Sequence, residues 1–157
     1  MARKASKKAL LQLQKFFDLL GKYGGTIETK NPGTWWKLTL EVQSMEDHYK
    51  DIIIGVCKWV GDDMFGDLLY DPLFSLTLQI DDEGKIIGGE IKNCINQTNL
   101  GTTEIDGDDY IYGCGIKERA FPGLRKKFSI FMDNIANIGP YLTDPKEIKR
   151  YEERGKP

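Results

Sequence analysis

An α+β fold is what this sequence predicts, on three observations. Apolar residues recur at helical spacing in two stretches, one near the start and one after residue 122. Between them the apolar period drops to two, the mark of strands with one buried face. The strand-like stretches are joined by short polar turns rather than by helical segments, which argues for antiparallel pairing and against βαβ units. The expected architecture is an antiparallel sheet of four to five strands, with an N-terminal helix and a longer C-terminal helix packed on it.

The first helix is predicted from a cap at Ser6 to about Leu20. Leu10, Leu13, Phe17 and Leu20 form one stripe, and Gly21, Gly24 and Gly25 supply the stop. Lys4, Lys7, Lys8 and Lys15 lie off the stripe or at its edge. Thr34 to Val42 alternates, with Trp36, Leu38, Leu40 and Val42 on one side and Lys37, Thr39 and Glu41 on the other. Asp51 to Val60 is a second strand, in which Ile52, Ile53 and Ile54 suggest burial on both faces. Leu73 to Ile80 is a third, with Phe74, Leu76, Leu78 and Ile80 inward. Asp81-Asp82-Glu83-Gly84 is a turn, because glycine accepts the backbone conformation a tight connection needs. Ile86 to Ile95 returns from it, and Tyr110 to Ile116 is a fifth strand.

Pro122 is placed to open the second long helix, where a missing N–H costs nothing. Leu124, Phe128, Phe131, Ile135 and Ile138 recur at alternating steps of four and three, and Gly139-Pro140 ends the pattern. Thr143-Asp144-Pro145-Lys146-Glu147 resembles a helix start, with a cap, a proline in the first turn and a capping-box glutamate. Residues 1–142 therefore read as a single α+β domain and 143–157 as a short polar helical tail. A chain of 157 residues buries roughly two-thirds of its unfolded surface and holds a core without staples.

Charge is segregated along the chain. Residues 1–30 balance to +5, residues 31–116 to −11 and residues 117–157 to +4, within an overall net charge of −2. Such patterning bears on partners and encounter rather than on fold. The polar, basic start lacks the apolar run of a secretory leader, and no run approaches the ~18 residues of a membrane span. With three widely spaced cysteines, Cys57, Cys94 and Cys114, and no CxxC pair, the expectation is a cytoplasmic protein with reduced thiols and no membrane contact.

His48, the one histidine, falls in a strand-to-strand loop; paired with Cys57 or Cys114 it would outline a cysteine hydrolase. Both cysteines lie in strands, where thiols pack as small hydrophobes. Carboxylates cluster around two connections: Asp62, Asp63, Asp67 and Asp71 in one, Glu104, Asp106, Asp108 and Asp109 in the other. Oxygen-rich loops of this kind can hold Mg²⁺ or Ca²⁺ or serve acid–base chemistry, and Asp106, Asp108 and Asp109 are the metal candidates. Solvated turns account for the same residues. Gly88-Gly89 and Gly113-Cys114-Gly115 lack the phosphate-loop patterns, and no cofactor is expected.

Aromatic and apolar residues on or beside the strands are candidate contacts for a partner: Trp35, Trp59, Met64, Phe65, Tyr70, Tyr110 and Tyr112. Two basic stretches, Arg3, Lys4, Lys7 and Lys8 near the start and Arg125-Lys126-Lys127 on the polar side of the second helix, are candidate nucleic-acid contacts.

The run Gly66-Asp67-Leu68-Leu69-Tyr70-Asp71-Pro72-Leu73-Phe74, followed by the Asp81–Gly84 hairpin, resembles small uncharacterised α+β domains on conjugative elements and phages of Gram-positive bacteria. The resemblance spans roughly Trp35 to Ile138. It implies an accessory role on a mobile element and carries over no catalytic residue.

Three functional expectations follow. The first is a non-enzymatic binding protein that engages a protein partner through an acidic, aromatic-bearing sheet and its loops, in one version an anti-defence protein whose carboxylates imitate DNA phosphates. The second is a carboxylate- or metal-dependent enzyme. The third is a nucleic-acid-binding accessory protein that uses the basic helices. The sequence sets neither strand order nor oligomeric state.

Overall fold

Among the described residues, nine strands form one antiparallel sheet, in the order β8-β7-β6-β5-β4-β3-β2-β1-β9, and two helices cover one of its faces. The computed structural model describes residues 3–28, 37–60, 67–98, 101–106, 109–111, 117–119, 123–137 and 148–151. Side chains are described within 3–27, 37–57, 72–96, 123–136 and 148–151. The elements are α1 (Lys7–Leu20), β1 (Gly24–Glu28), β2 (Lys37–Glu46), β3 (Tyr49–Val60), β4 (Asp67–Ile80), β5 (Ile86–Thr98), β6 (Gly101–Asp106), β7 (Asp109–Ile111), β8 (Lys117–Arg119), α2 (Leu124–Asn137) and β9 (Ile148–Arg150).

From β1 to β8 the chain is an up-and-down meander, each strand pairing with the next. After β8 the chain passes through α2 and returns to the far edge, where β9 pairs antiparallel with β1. The sheet thus exceeds the expected four to five strands: β1 to β6 have five or more residues, and β7, β8 and β9 have three each. The C-terminal helix is not the longer one, since both helices have 14 residues. The helix expected after Thr143 is, at Ile148–Arg150, a strand. Its register partners Ile27, Thr26 and Gly25 give its backbone a ladder that an isolated polar helix would lack.

Ser6 caps α1, its Oγ accepting from the Ala9 amide at 3.2 Å. Leu10, Leu13, Phe17 and Leu20 are buried as the stripe requires, joined by Ala9 and Phe16. Alternation in the strands places Leu38, Leu40, Ile52, Ile54, Val56, Phe74, Leu76, Leu78 and Ile91 on the same inner layer. Ile53, on the opposite face, is only half-buried, so burial on both faces is incomplete there. From α2, Leu124, Phe128, Phe131, Met132 and Ile135 close the core. Pro122 and Ile138 lie outside the described residues, and Gly123 is the residue just before the first helical turn.

Pro72 sits in the middle of β4, yet it breaks no ladder. The β3–β4 register shifts between Gly55 and Cys57, so Asp71 and Pro72 share the place opposite Val56. A residue without an N–H is tolerated at such a bulge. Gly55 is required beside it, because a Cβ there would stand 2.7 Å from the Pro72 carbonyl oxygen and from the Leu73 side chain.

Lys50 is the one charged residue buried in the described core. It lies on the inner face of β3 beneath the end of α1. Its Nζ donates to the Lys22 carbonyl at 3.4 Å and lies 4.9 Å from the centre of the Phe17 ring. Burial, and then the nearby charge of Lys22, lower its pKa from the ordinary lysine value. The unfolded chain therefore binds this proton more readily than the folded one, and stability should rise with pH between the lowered value and about 10.4. Lys50→Met is expected to be more stable than the parent near pH 7, on the order of 1–2 kcal/mol. The advantage should shrink as urea melts are repeated toward pH 10. Among the described residues no helix is long and apolar enough to cross a membrane.

Candidate functional site

The two basic stretches, which stand well over a hundred residues apart in the sequence, lie on or beside helices that meet along the seam between α1 and α2. The Ser6 and Ser129 hydroxyls hydrogen-bond at 3.3 Å. One turn further along, Gln12 Nε2 donates to Asp133 Oδ1 at 2.8 Å, and Lys8 Nζ lies 3.3 Å from the same oxygen. Contacts that advance together along both helices mean that α1 and α2 run in the same direction. Their N-termini thus lie at the same end, with α2 beginning five residues before Ser129, or about 7.5 Å further out. Ser6, Gly123, Arg125, Lys126, Ser129, Ile130 and Asp133 line the groove between them.

The first turns are electrostatically unusual. Neither helix has an acidic residue in its first turn. Instead α1 opens with Lys7-Lys8, and α2 places Arg125-Lys126-Lys127 directly after Leu124. Unsatisfied N–H groups give a helix N-terminus about half a positive charge, so cations there oppose the macrodipole. Arg3, Lys4, Lys7, Lys8, Arg125 and Lys126 are all exposed. Asp133 is the one carboxylate lining the groove among the described residues, and hydrogen bonds from Gln12 and then Lys8 hold its carboxyl below the ordinary aspartate value.

The structure refines the expected basic sites in two ways. Residues 3–5 are held against the sheet: the Ile91 amide donates to the Arg3 carbonyl at 2.6 Å and the Ala5 amide to the Gly89 carbonyl at 3.0 Å. These bonds lay residues 3–5 along β5, with Lys4 in an antiparallel bridge to Glu90. The 125–127 triplet also divides. Arg125 and Lys126 line the groove, whereas Lys127 lines a separate cavity on the other side of α2, beside Asn134 one helical repeat later.

The partner-contact candidates are mostly beyond reach. Trp35, Met64, Phe65 and Tyr112 lie outside the described residues, as do Asp108 and Cys114. Trp59, Tyr70 and Tyr110 are placed by backbone alone, opposite Leu68, Cys57 and Ile105 respectively. Asp106 and Asp109 are cross-strand neighbours in the β6–β7 pair. Among the described residues no group of three or more His, Cys, Asp or Glu side chains could hold a metal ion.

His48 and Cys57 do not form a catalytic pair. His48 sits exposed in the β2–β3 turn, its Nδ1 3.9 Å from Asp82 Oδ1. Cys57 is buried up the same strand, nine residues away, a span of roughly 25–30 Å in extended chain. Asp51, on the face away from the helices, accepts from Ser44 at 2.8 Å, Thr77 at 2.7 Å and Lys92 at 3.1 Å. Those bonds, Thr77's first, lower its pKa from the ordinary aspartate value. A carboxylate so fully engaged is a poor general base.

Sequence reasoning missed the groove as a unit, because it requires Ser6 to meet Ser129. One signal was present in the sequence: two predicted helices with cations and no carboxylate in their first turns. No family model, curated protein or solved structure matches this chain.

Proposed function

We propose that the protein is a non-enzymatic nucleic-acid-binding accessory protein, and that the phosphate backbone lies across the paired N-termini of α1 and α2. The observation that carries the proposal is the placement of Lys7, Arg125 and Lys126 in the first turns of two neighbouring helices, turns that hold no carboxylate of their own. In the free protein those cations oppose both helix dipoles. A phosphate supplied from outside converts the same arrangement into a favourable one, since it meets the positive end of a helix dipole and cations together. The Ser6 and Ser129 hydroxyls between the helices add donors of the kind that position a backbone. An accessory role on a mobile element, implied by the family resemblance, is compatible with this chemistry.

Fluorescence anisotropy with a labelled 20-base-pair duplex, repeated across salt concentrations, tests the proposal. If those three cations neutralise phosphates, log K should fall against log salt with a slope of about −2.7. Absence of binding at 50 mM salt, or a flat salt response, contradicts it.

A second reading, a protein partner on the acidic sheet, rests on a different observation. The carboxylate-rich turns at 46–48 and 81–84 adjoin, the Ile80 amide donating to the His48 carbonyl at 2.8 Å. Beside them Met45, Tyr49 and Ile87 are exposed by 43%, 51% and 57%. A bound protein lost from Met45→Ser/Tyr49→Ser, but not displaced by duplex DNA, is what that reading expects.

A further inference from the structure

The cavity on the other side of α2 is built differently from the groove. It has a volume of about 480 Å³ and lies between α2 and the inner face of β3 to β5. Its floor is apolar and buried: Val56 and Phe74 from the sheet, Phe131 and Ile135 from α2. Two carboxamides stand nearer the solvent, the half-buried Asn96 on β5 and the exposed Asn134 on α2. Among the described residues, neither carboxamide hydrogen-bonds to another group. Lys127, the one charged side chain in the lining among the described residues, already has a partner within the protein.

An apolar floor with a few polar groups at the rim is the usual form of a small-molecule site, and this volume lies in the usual range. With Lys127 committed within the protein, an ionised ligand head would give up water at the apolar floor without gaining a counter-ion, which is costly. The two carboxamides, by contrast, each offer two N–H donors and a carbonyl acceptor. A head that both donates and accepts matches them; an ester, which only accepts, uses half of what they offer. We infer that the cavity binds an uncharged medium-chain amphiphile of the primary-amide type, its chain on the Val56, Phe74, Phe131 and Ile135 floor and its amide at Asn96 and Asn134. The chain leaves water, and the head exchanges water for protein partners at the mouth. This site does not depend on nucleic-acid binding, because none of Ser6, Arg125 and Lys126 lines it.

Calorimetric titration of the full chain with hexanamide, octanamide and decanamide tests the inference, with octanoate and methyl octanoate as comparators that keep the chain and change the head. Affinity should rise about fourfold with each added methylene, the equivalent of about 0.8 kcal/mol. Octanamide should bind at least about tenfold more tightly than octanoate, whose charge finds no partner. It should bind about fivefold more tightly than methyl octanoate, which lacks the donor. Asn96→Leu/Asn134→Leu should bring octanamide down to the affinity of the ester. With methyl-labelled protein carrying no substitution, decanamide should shift the resonances of Val56, Ile130 and Ile135, which line the cavity. No saturable binding of decanamide, octanoate binding as tightly as octanamide, an advantage over the ester that survives Asn96→Leu/Asn134→Leu, or methyl shifts confined to other residues would each overturn the inference.

Discussion

Reversing one cation in each first turn, as in Lys7→Glu/Arg125→Glu, is expected to weaken duplex binding about a hundredfold or more at 50 mM salt. Each phosphate contact releases counterion worth about 0.9 in the slope of log K against log salt. At 0.05 M salt that amounts to roughly one decade of affinity per contact, so loss of two contacts removes about two decades. The new carboxylates also repel phosphate, which pushes the loss further. The slope should become shallower by about 1.8. Neither residue belongs to the buried core, so circular dichroism should show a native fold in the variant. A loss of affinity without a change of slope would mean that the two cations act on the fold rather than on phosphate.

Phe128→Ala is expected to cost about 3–5 kcal/mol of stability. Phe128 is fully buried where α2 meets the sheet. Its ring stands edge-on to Phe74, with centroids 5.1 Å apart and planes at 72°, and 6.5 Å from Phe131. Phe131 in turn lies 5.1 Å from Phe74. Truncation removes the ring's transfer energy and leaves a cavity at the centre of a three-ring cluster, which close-packed neighbours can refill only in part. Such aromatic pairs contribute about 0.5–1.5 kcal/mol beyond burial. A urea midpoint implying a loss below 1 kcal/mol would show that α2 does not pack as described. The same variant bears on the groove, because α2 carries Arg125 and Lys126 and can present them only while it is docked.

Periodicity made the helices and the four long central strands legible. Leu10, Leu13, Phe17 and Leu20 define α1 without tertiary information, and Leu38-Leu40, Ile52-Ile54 and Phe74-Leu76-Leu78-Ile80 do the same for β2, β3 and β4. What escaped was structure whose cause is remote. Gly24 and Gly25 look like a helix stop, and the positive φ of Gly24 suits that role. They also open β1, and each is a point of close approach: a Cβ on Gly24 would lie 1.9 Å from the Leu40 carbonyl oxygen, and one on Gly25 would lie 2.1 Å from that of Lys149. Only the partner strands reveal why glycine is there. β6, Gly-Thr-Thr-Glu-Ile-Asp, has almost no apolar alternation and exists by pairing with β5. β9 follows a stretch with good local helix-start chemistry, but three residues paired to β1 override that preference.

The functional surface was legible in its parts and not as a whole. Each basic stretch stood out in the sequence as a cluster of lysines and arginines. That Ser6 lines one groove with Arg125 and Lys126, and that Lys8 reaches Asp133 of that groove, depends on α1 and α2 running side by side in the same direction, which no local pattern encodes. Nor did the sequence separate Lys127 from Arg125 and Lys126; that separation follows from the 100° turn between successive helical residues once the buried face of α2 is known. The carboxylates of the −11 segment are likewise resolved into different roles. Asp51 is engaged by Ser44, Thr77 and Lys92, whereas Asp82 and Glu83 stay in an exposed turn.

The most direct test of the central claim is the sign of the stability change in Lys7→Glu/Arg125→Glu, measured by urea unfolding of the protein without nucleic acid. If those cations are held at the helix N-termini for an incoming phosphate, they burden the free protein. Replacing them with glutamate should then raise stability by about 1 kcal/mol, while the same change destroys duplex binding. Stability that falls together with binding would contradict the claim and assign Lys7 and Arg125 a structural role.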